Sequence, residues 1–189
     1  VQLNGTSISA GGAGVAVDGG VATIRGAGTY RLSGSLSDGQ IIVETEDEDV
    51  VRLLLDGVDL KSSTSAPLYI SKAEKVVIIL ADGSANTIRD GLSYVIEEGE
   101  DEPNAAIFST ADLTIAGSGS VDVTGSYNDG IASKDGLILA GGSLTVEAAD
   151  DGMRGKDYLV IRDASVTVAA GGDGLKSDNE EDTGKGYVS

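Results

Sequence analysis

The 189-residue chain contains no cysteine and no histidine. The first absence excludes a disulfide framework and any thiolate metal site. The second excludes Ser-His and Cys-His nucleophile pairs and imidazole metal ligands. Tryptophan is absent too, and the aromatics are six Tyr and the single Phe108, so a core of large aromatic rings is excluded. Stacked Ile, Leu and Val do not need them. Proline occurs twice against 28 glycines, which fits many tight turns between short strands. Basic residues are scarce: 13 against 31 acidic ones, a formal charge of −18. Phosphate binding needs a basic footprint, so no nucleic-acid partner is expected. Cations are the natural counter-charge. No apolar run has the length of a membrane span, so no membrane insertion is expected, and no signal-peptide pattern opens the sequence.

What is present is a repeat. Asp129-Gly130, Asp151-Gly152 and Asp173-Gly174 are evenly spaced (151 − 129 = 22; 173 − 151 = 22). Ile131, Met153 and Leu175 come directly after the three pairs. Leu137, Leu139, Leu144 and Val146 map onto Leu159, Ile161, Val166 and Val168. A fixed period in this range means stacked structural units. Short runs such as Leu113-Thr114-Ile115, Leu144-Thr145-Val146 and Val166-Thr167-Val168 alternate with period two and carry β-branched residues, which predicts strands. Each 22-residue unit holds three of them, between corners such as Gly141-Gly142 and Gly171-Gly172. We therefore expect an all-β parallel β-helix, about 22 residues per coil in the C-terminal half. Residues 1–189 form one domain in this reading, with residues 92–104 an inserted acidic loop carrying Glu97, Glu98, Glu100, Asp101 and Glu102. Gly184 to Ser189 resembles a coil just begun, so the protein is expected to continue beyond Ser189.

Stacking the units piles up acids. Asp129, Asp151 and Asp173 make one column; Asp135 and Asp157, with Asn179 third in the row, make a second on the same corner. Two carboxylates about 5 Å apart repel by about 3 kcal/mol at an effective dielectric of 20. Calcium answers that chemistry, because it takes six to eight oxygens in loose geometry. Asn128, Asp150, Asp178 and Asn179 add oxygen donors nearby. The competing reading needs no metal: Asp-Gly is a common turn pair, and Lys134 and Lys156, each preceding an Asp of the second column, supply the counter-charge.

The runs Ile131-Ala132-Ser133-Lys134-Asp135, Asp150 to Asp157 and Gly172 to Asp178 resemble the secreted bacterial carbohydrate-binding β-helix domains, whose fold is similar to that of polysaccharide lyases. Upstream, Gly28 to Gly34, Leu54 to Val58 and Ala81 to Thr87 agree. The resemblance implies a right-handed parallel β-helix with bound Ca²⁺, a plant cell-wall polysaccharide partner (cellulose and pectin-type acidic glycans) and an extracellular or cell-surface location. It carries calcium ligands onto Asp129, Asp135, Asp151, Asp157 and Asp173, with Asp178 in a third unit that is one residue shorter.

Three functions are then open. The first is a calcium-dependent binding module, with Tyr127, Tyr158, Lys134 and Lys156 as candidate sugar contacts. The second is a polysaccharide lyase using Lys134, Lys156 or Arg154 as base, since β-elimination of an acidic sugar needs a cation and a base but no His. The third is a structural or adhesive surface domain. Acids beside Lys134 and Lys156 favour the charged form and oppose a base, so binding without turnover is expected.

Overall fold

The computed structural model describes residues 1–96, 98–99 and 102–189. Glu97, Glu100 and Asp101 of the expected acidic insertion lie outside the described residues. Every regular element among the described residues is a strand. The first ten are β1 Gln2–Gly5, β2 Ile8–Ser9, β3 Val15–Asp18, β4 Val21–Ile24, β5 Gly28–Leu36, β6 Gln40–Glu44, β7 Val51–Lys61, β8 Leu68–Lys72, β9 Lys75–Leu80 and β10 Ala85–Arg89. Next come β11 Ala105–Ser109, β12 Asp112–Gly117, β13 Ser120–Gly125, β14 Asp129–Ser133, β15 Gly136–Leu139, β16 Ser143–Ala148, β17 Met153–Gly155, β18 Tyr158–Ile161, β19 Ser165–Ala170, β20 Leu175–Lys176 and β21 Tyr187–Val188. Alternation dictates most of them. In β9, Val76, Ile78 and Leu80 are buried while Lys75, Val77 and Ile79 are half-buried.

These strands do not build the expected right-handed parallel β-helix. They collect in two sheets instead. The larger, of 13 strands, is a curled half-barrel of parallel strands running β19-β16-β13-β10-β7-β9-β12-β15-β18-β21, with β5, β1 and β2 branching from β7. The smaller, of eight strands, runs β20-β17-β14-β11-β8-β6-β4-β3 and is mixed, because β3 and β4 pair antiparallel. The physical reason lies in β7. Its first half, Val51–Leu55, pairs with β9, and its last residues, Asp59 to Lys61, pair with β10. One long strand thus belongs to both limbs, and two of the three strand rows fuse into one sheet. The turn inside β7 falls at Gly57, whose φ is +71°. Beside it the buried Asn86 accepts a bond from Val58 N (2.9 Å) and donates to Ser84 Oγ (3.0 Å) and Ser120 O (2.9 Å). It satisfies backbone groups that the bend leaves unpaired.

The repeat register itself holds within these sheets. Leu137 pairs with Leu159, Val146 with Val168 and Ile131 with Met153, all parallel. Upstream the offset loosens: Leu113 pairs with Leu137 (137 − 113 = 24) and Val121 with Leu144 (144 − 121 = 23). The interior is a continuous aliphatic ladder, from Leu3 and Ile24 through Leu53 and Ile78 to Leu144 and Leu159. Strands β11 and β14 depart from alternation, with every residue buried. Ala105 and Phe108 of β11 and Ala132 of β14 form a second small core with Ala66, with Tyr69 and Tyr94 packed against it. Tyr94 lies near the start of the 92–104 segment, and its ring packs on the domain. Full burial of a ring such as Phe108 contributes about 1.5–3 kcal/mol.

Candidate functional site

The three Asp-Gly pairs come together as the spacing predicts, but not as turns. Asp129 opens β14, and none of Gly130, Gly152 and Gly174 has a positive φ. Glycine is there for room. A Cβ on Gly130 would lie 2.3 Å from Val146 Cγ1 and 2.6 Å from Gly152 O; one on Gly152 would lie 2.3 Å from Val168 Cγ1 and 2.6 Å from Gly174 O. The aspartates do the bonding between units. Asp129 Oδ1 accepts from Asp151 N at 3.1 Å, and Asp151 Oδ1 accepts from Asp173 N at 2.9 Å. Asn128 Nδ2 donates to Asp129 Oδ1 at 3.1 Å. Each carboxylate thereby satisfies the main-chain donor of the next unit.

The second oxygen of each buried carboxylate faces a cation. Lys176 Nζ is 2.7 Å from Asp151 Oδ2, and Arg154 Nε is 3.6 Å from Asp129 Oδ2. Arg154 and Lys176 are register partners in β17 and β20. The counter-charge therefore comes from this row, which the sequence reading missed, rather than from Lys134 and Lys156. Lys134 pairs with Glu102 at 2.8 Å. Lys156 is exposed and has no ion-pair partner among the described residues. Asp178, expected as a ligand, lies 3.5 Å from Arg154 Nη1.

Asp129 and Asp151 are 2% and 5% exposed, and with the exposed Asp150 they form a group whose ligand oxygens lie within 4.8 Å of one another. This trio can hold a metal ion. Among the described residues it is the one such group of three acids, and it contains three of the nine candidate ligands. Asp173 joins through its backbone while remaining exposed. Asp135, Asp157 and Asn179 lie beyond the other end of β14 and β17, not on the same corner. There Asp157 accepts from Asn179 Nδ2 (2.6 Å) and pairs with Lys185 (2.8 Å). Asp112, unnoticed in the sequence, accepts from Gly136 N at 3.0 Å and Tyr158 Oη at 3.1 Å.

Burial pushes the Asp129 carboxyl up from 3.8 to about 6, with the neighbouring charges of Asp151 and Asp150 adding to it and Arg154 opposing. Burial acts upward on Asp151 too, but the Lys176 and Asp173 N–H bonds outweigh it and hold it below the ordinary value. The Asp129 shift has a definite sign. Between pH 3.8 and about 6 the folded carboxyl keeps a proton that the unfolded one has lost, so metal-free stability falls as pH rises through that window. Urea unfolding in chelator from pH 4 to 7 is expected to show this fall, and Asp129→Asn, which keeps the acceptor oxygen, is expected to flatten it. An unchanged profile in that variant would refute the assignment.

The tyrosines expected as sugar platforms are engaged with each other's kind. Tyr127 stacks on Tyr94 with centroids 4.2 Å apart, and Tyr158 stacks on Tyr187 at 5.9 Å. Tyr94 in turn donates to Asp90 Oδ2 at 2.8 Å, while Asp90 also accepts from the backbone of Ser126 and Tyr127. This latch ties Tyr94 down beside Tyr127, two residues before Asp129.

On the same face Glu102, Ser133, Lys134, Arg154, Lys156 and Asp178 line a cleft of about 220 Å³. In this strongly acidic chain it gathers three cations against two acids.

Comparison with known proteins agrees on the family. A solved structure described as the polysaccharide lyase-like protein from C. thermocellum, gadolinium derivative, superposes with a TM-score of 0.96 at 37% identity, covering 99% of this chain and 76% of that one. A carbohydrate-binding domain-containing protein of Acetivibrio thermocellus is 44% identical over 122 residues, 64% of this chain. The match takes in 43% of that relative's length. The profile of the carbohydrate-binding domain-containing proteins matches residues 18–189. The chain belongs to that family.

Proposed function

We propose that this protein is a calcium-dependent carbohydrate-binding module for plant cell-wall polysaccharide, cellulose or polygalacturonate-type acidic glycan, working outside the cell or on its surface. The observation that carries the metal half is the Asp129, Asp150 and Asp151 trio. Its donors are all hard oxygens, and the chain offers no thiolate or imidazole, which fits calcium and not zinc. Bound calcium would take over from Arg154 and Lys176 as counter-charge to the buried carboxylates. Family membership carries the carbohydrate half. No helix among the described residues is long and apolar enough to cross a membrane.

The lyase reading retains one observation in its favour: Lys156 lines the cleft without an ion-pair partner among the described residues. Arg154 and Lys134 are instead engaged with carboxylates, Asp129 and Glu102. Retention on insoluble cellulose and on a polygalacturonate gel, in calcium and in chelator, tests the proposal. Calcium-dependent retention without release of ultraviolet-absorbing unsaturated oligouronides is expected. Retention on neither polymer would refute the module; steady release of unsaturated product, lost in Lys156→Ala, would establish the lyase.

A further inference from the structure

The protein and a uronate polymer are both anions, so the sequence alone makes direct contact repulsive and calls for a bridging cation. The cleft beside the acid column changes that. Its cations come from successive units of the repeat: Lys134 lies just after β14, Arg154 in β17 and Lys156 just after β17. The backbone bond from Lys156 N to Ser133 O at 3.0 Å sets the two lysine positions at neighbouring levels of the stack. Three cations against Glu102 and Asp178 leave the lining at +1 (3 − 2) inside a chain of −18.

The acids in the lining are only partly effective as internal partners. Glu102 is committed to Lys134 at 2.8 Å. Arg154 reaches Asp178 and Asp129 only at 3.5 and 3.6 Å, and its Nε is shut from water without a hydrogen bond. Its planar fork, which suits two-point contact with a carboxylate, is therefore short of close acceptors. Lys156 has no ion pair among the described residues. At about 220 Å³ the space is below the roughly 300 Å³ at which pockets begin to enclose drug-sized ligands. It suits one charged sugar residue.

We propose that Arg154 and Lys156, with Lys134 at the rim, directly seat one anionic substituent of the glycan, a uronate carboxylate or a sulfate ester, without a metal bridge. This makes them the residues that discriminate acidic from neutral polymer. The inference rests on the carbohydrate-binding reading. Opposing acids around the cleft reject a second anion close by, so charge is read at one position of the polymer rather than along its length.

The test uses the intact protein at saturating calcium, so that the acid column is in the same state throughout. Retention is measured on polygalacturonate, its methyl ester, a sulfated galactan and cellulose, for wild type, Lys156→Gln and Lys134→Gln/Lys156→Gln; Arg154→Lys is read only if its unfolding temperature matches wild type. The double variant is expected to lose at least tenfold in affinity for the anionic polymer and nothing for cellulose. Wild-type binding to that polymer is expected to weaken with added salt, as direct ion contacts do. Polygalacturonate over both ester and sulfated polymer identifies a carboxylate; preference for the sulfated polymer identifies a sulfate; either supports the seat. Equal retention of variants and wild type on every polymer that wild type binds overturns it while leaving the module standing. Failure of the wild type to bind any of the four overturns the module itself.

Discussion

Gly152→Ala is expected to destabilise the protein by about 3 kcal/mol, the upper end for overpacking a tight interior. The added Cβ would sit 2.3 Å from Val168 Cγ1, which can rotate, and 2.6 Å from Gly174 O, which cannot. Moving that carbonyl disturbs the bond it accepts from Met153 N at 3.0 Å, a rung of the ladder between units. For a domain of this size the change corresponds to a fall of roughly 6 to 12 °C in unfolding temperature. Scanning calorimetry reads it directly. Gly184→Ala is the control for a different glycine chemistry: its φ is +82° and nothing lies within 4 Å of the added atom, so only backbone strain acts there. If Gly152→Ala unfolds with wild type, the close approach does not govern this position.

Asp151→Ala should cost about 2–3 kcal/mol before any metal is considered, because a charge-assisted acceptor is lost. Asp173 N–H loses its partner at 2.9 Å and Lys176 its counter-charge at 2.7 Å. A second loss adds to it. A ligand bound only by the folded state stabilises by about 2.7 kcal/mol at a hundredfold excess over Kd. Wild type should therefore melt higher in calcium than in chelator, and Asp151→Ala should melt alike in both. Lowering the pH through about 6 should shrink the wild-type difference, since calcium must then displace the proton on Asp129. A wild-type melting curve indifferent to calcium would mean that the aspartates serve only as ladder acceptors, with Arg154 and Lys176 as their permanent counter-ions.

Much of the strand pairing was legible because its determinants are local and repeated. Leu137 over Leu159 and Val146 over Val168 come from one 22-residue offset (159 − 137 = 22) and period-two alternation. The sheet architecture was not, because it hinges on one strand. Val51 to Leu55 reads as a short run ended by Asp56-Gly57, and nothing local reveals that pairing resumes at Val58 and ties both limbs together. Antiparallel β1–β2 and β3–β4 likewise lie outside the repeat that drove the reading. At the site, the acid column was visible in the period. Its cations were not: Arg154 and Lys176 stand 25 residues after the aspartates they neutralise (154 − 129 = 25; 176 − 151 = 25), while Lys134 and Lys156 stand next to acids in sequence. Lys156 does act on its neighbours Asp135 and Asp157, but the first column draws its cations from one repeat further along, so nearness in sequence pointed to the wrong row.

The constant offset also bears on how such a chain can change length. A single residue inserted just ahead of Leu144 in β16 would turn Leu144 and Val146 outward together. Removing or adding one whole 22-residue unit joins like to like, because the stretch after Lys134 matches the stretch after Lys156: Asp135 by Asp157, Leu137 by Leu159, Val146 by Val168. Each added unit would bring its own aspartate, its own glycine and its own cation for the aspartate below. The domain is thus built to be lengthened or shortened in whole courses, like masonry.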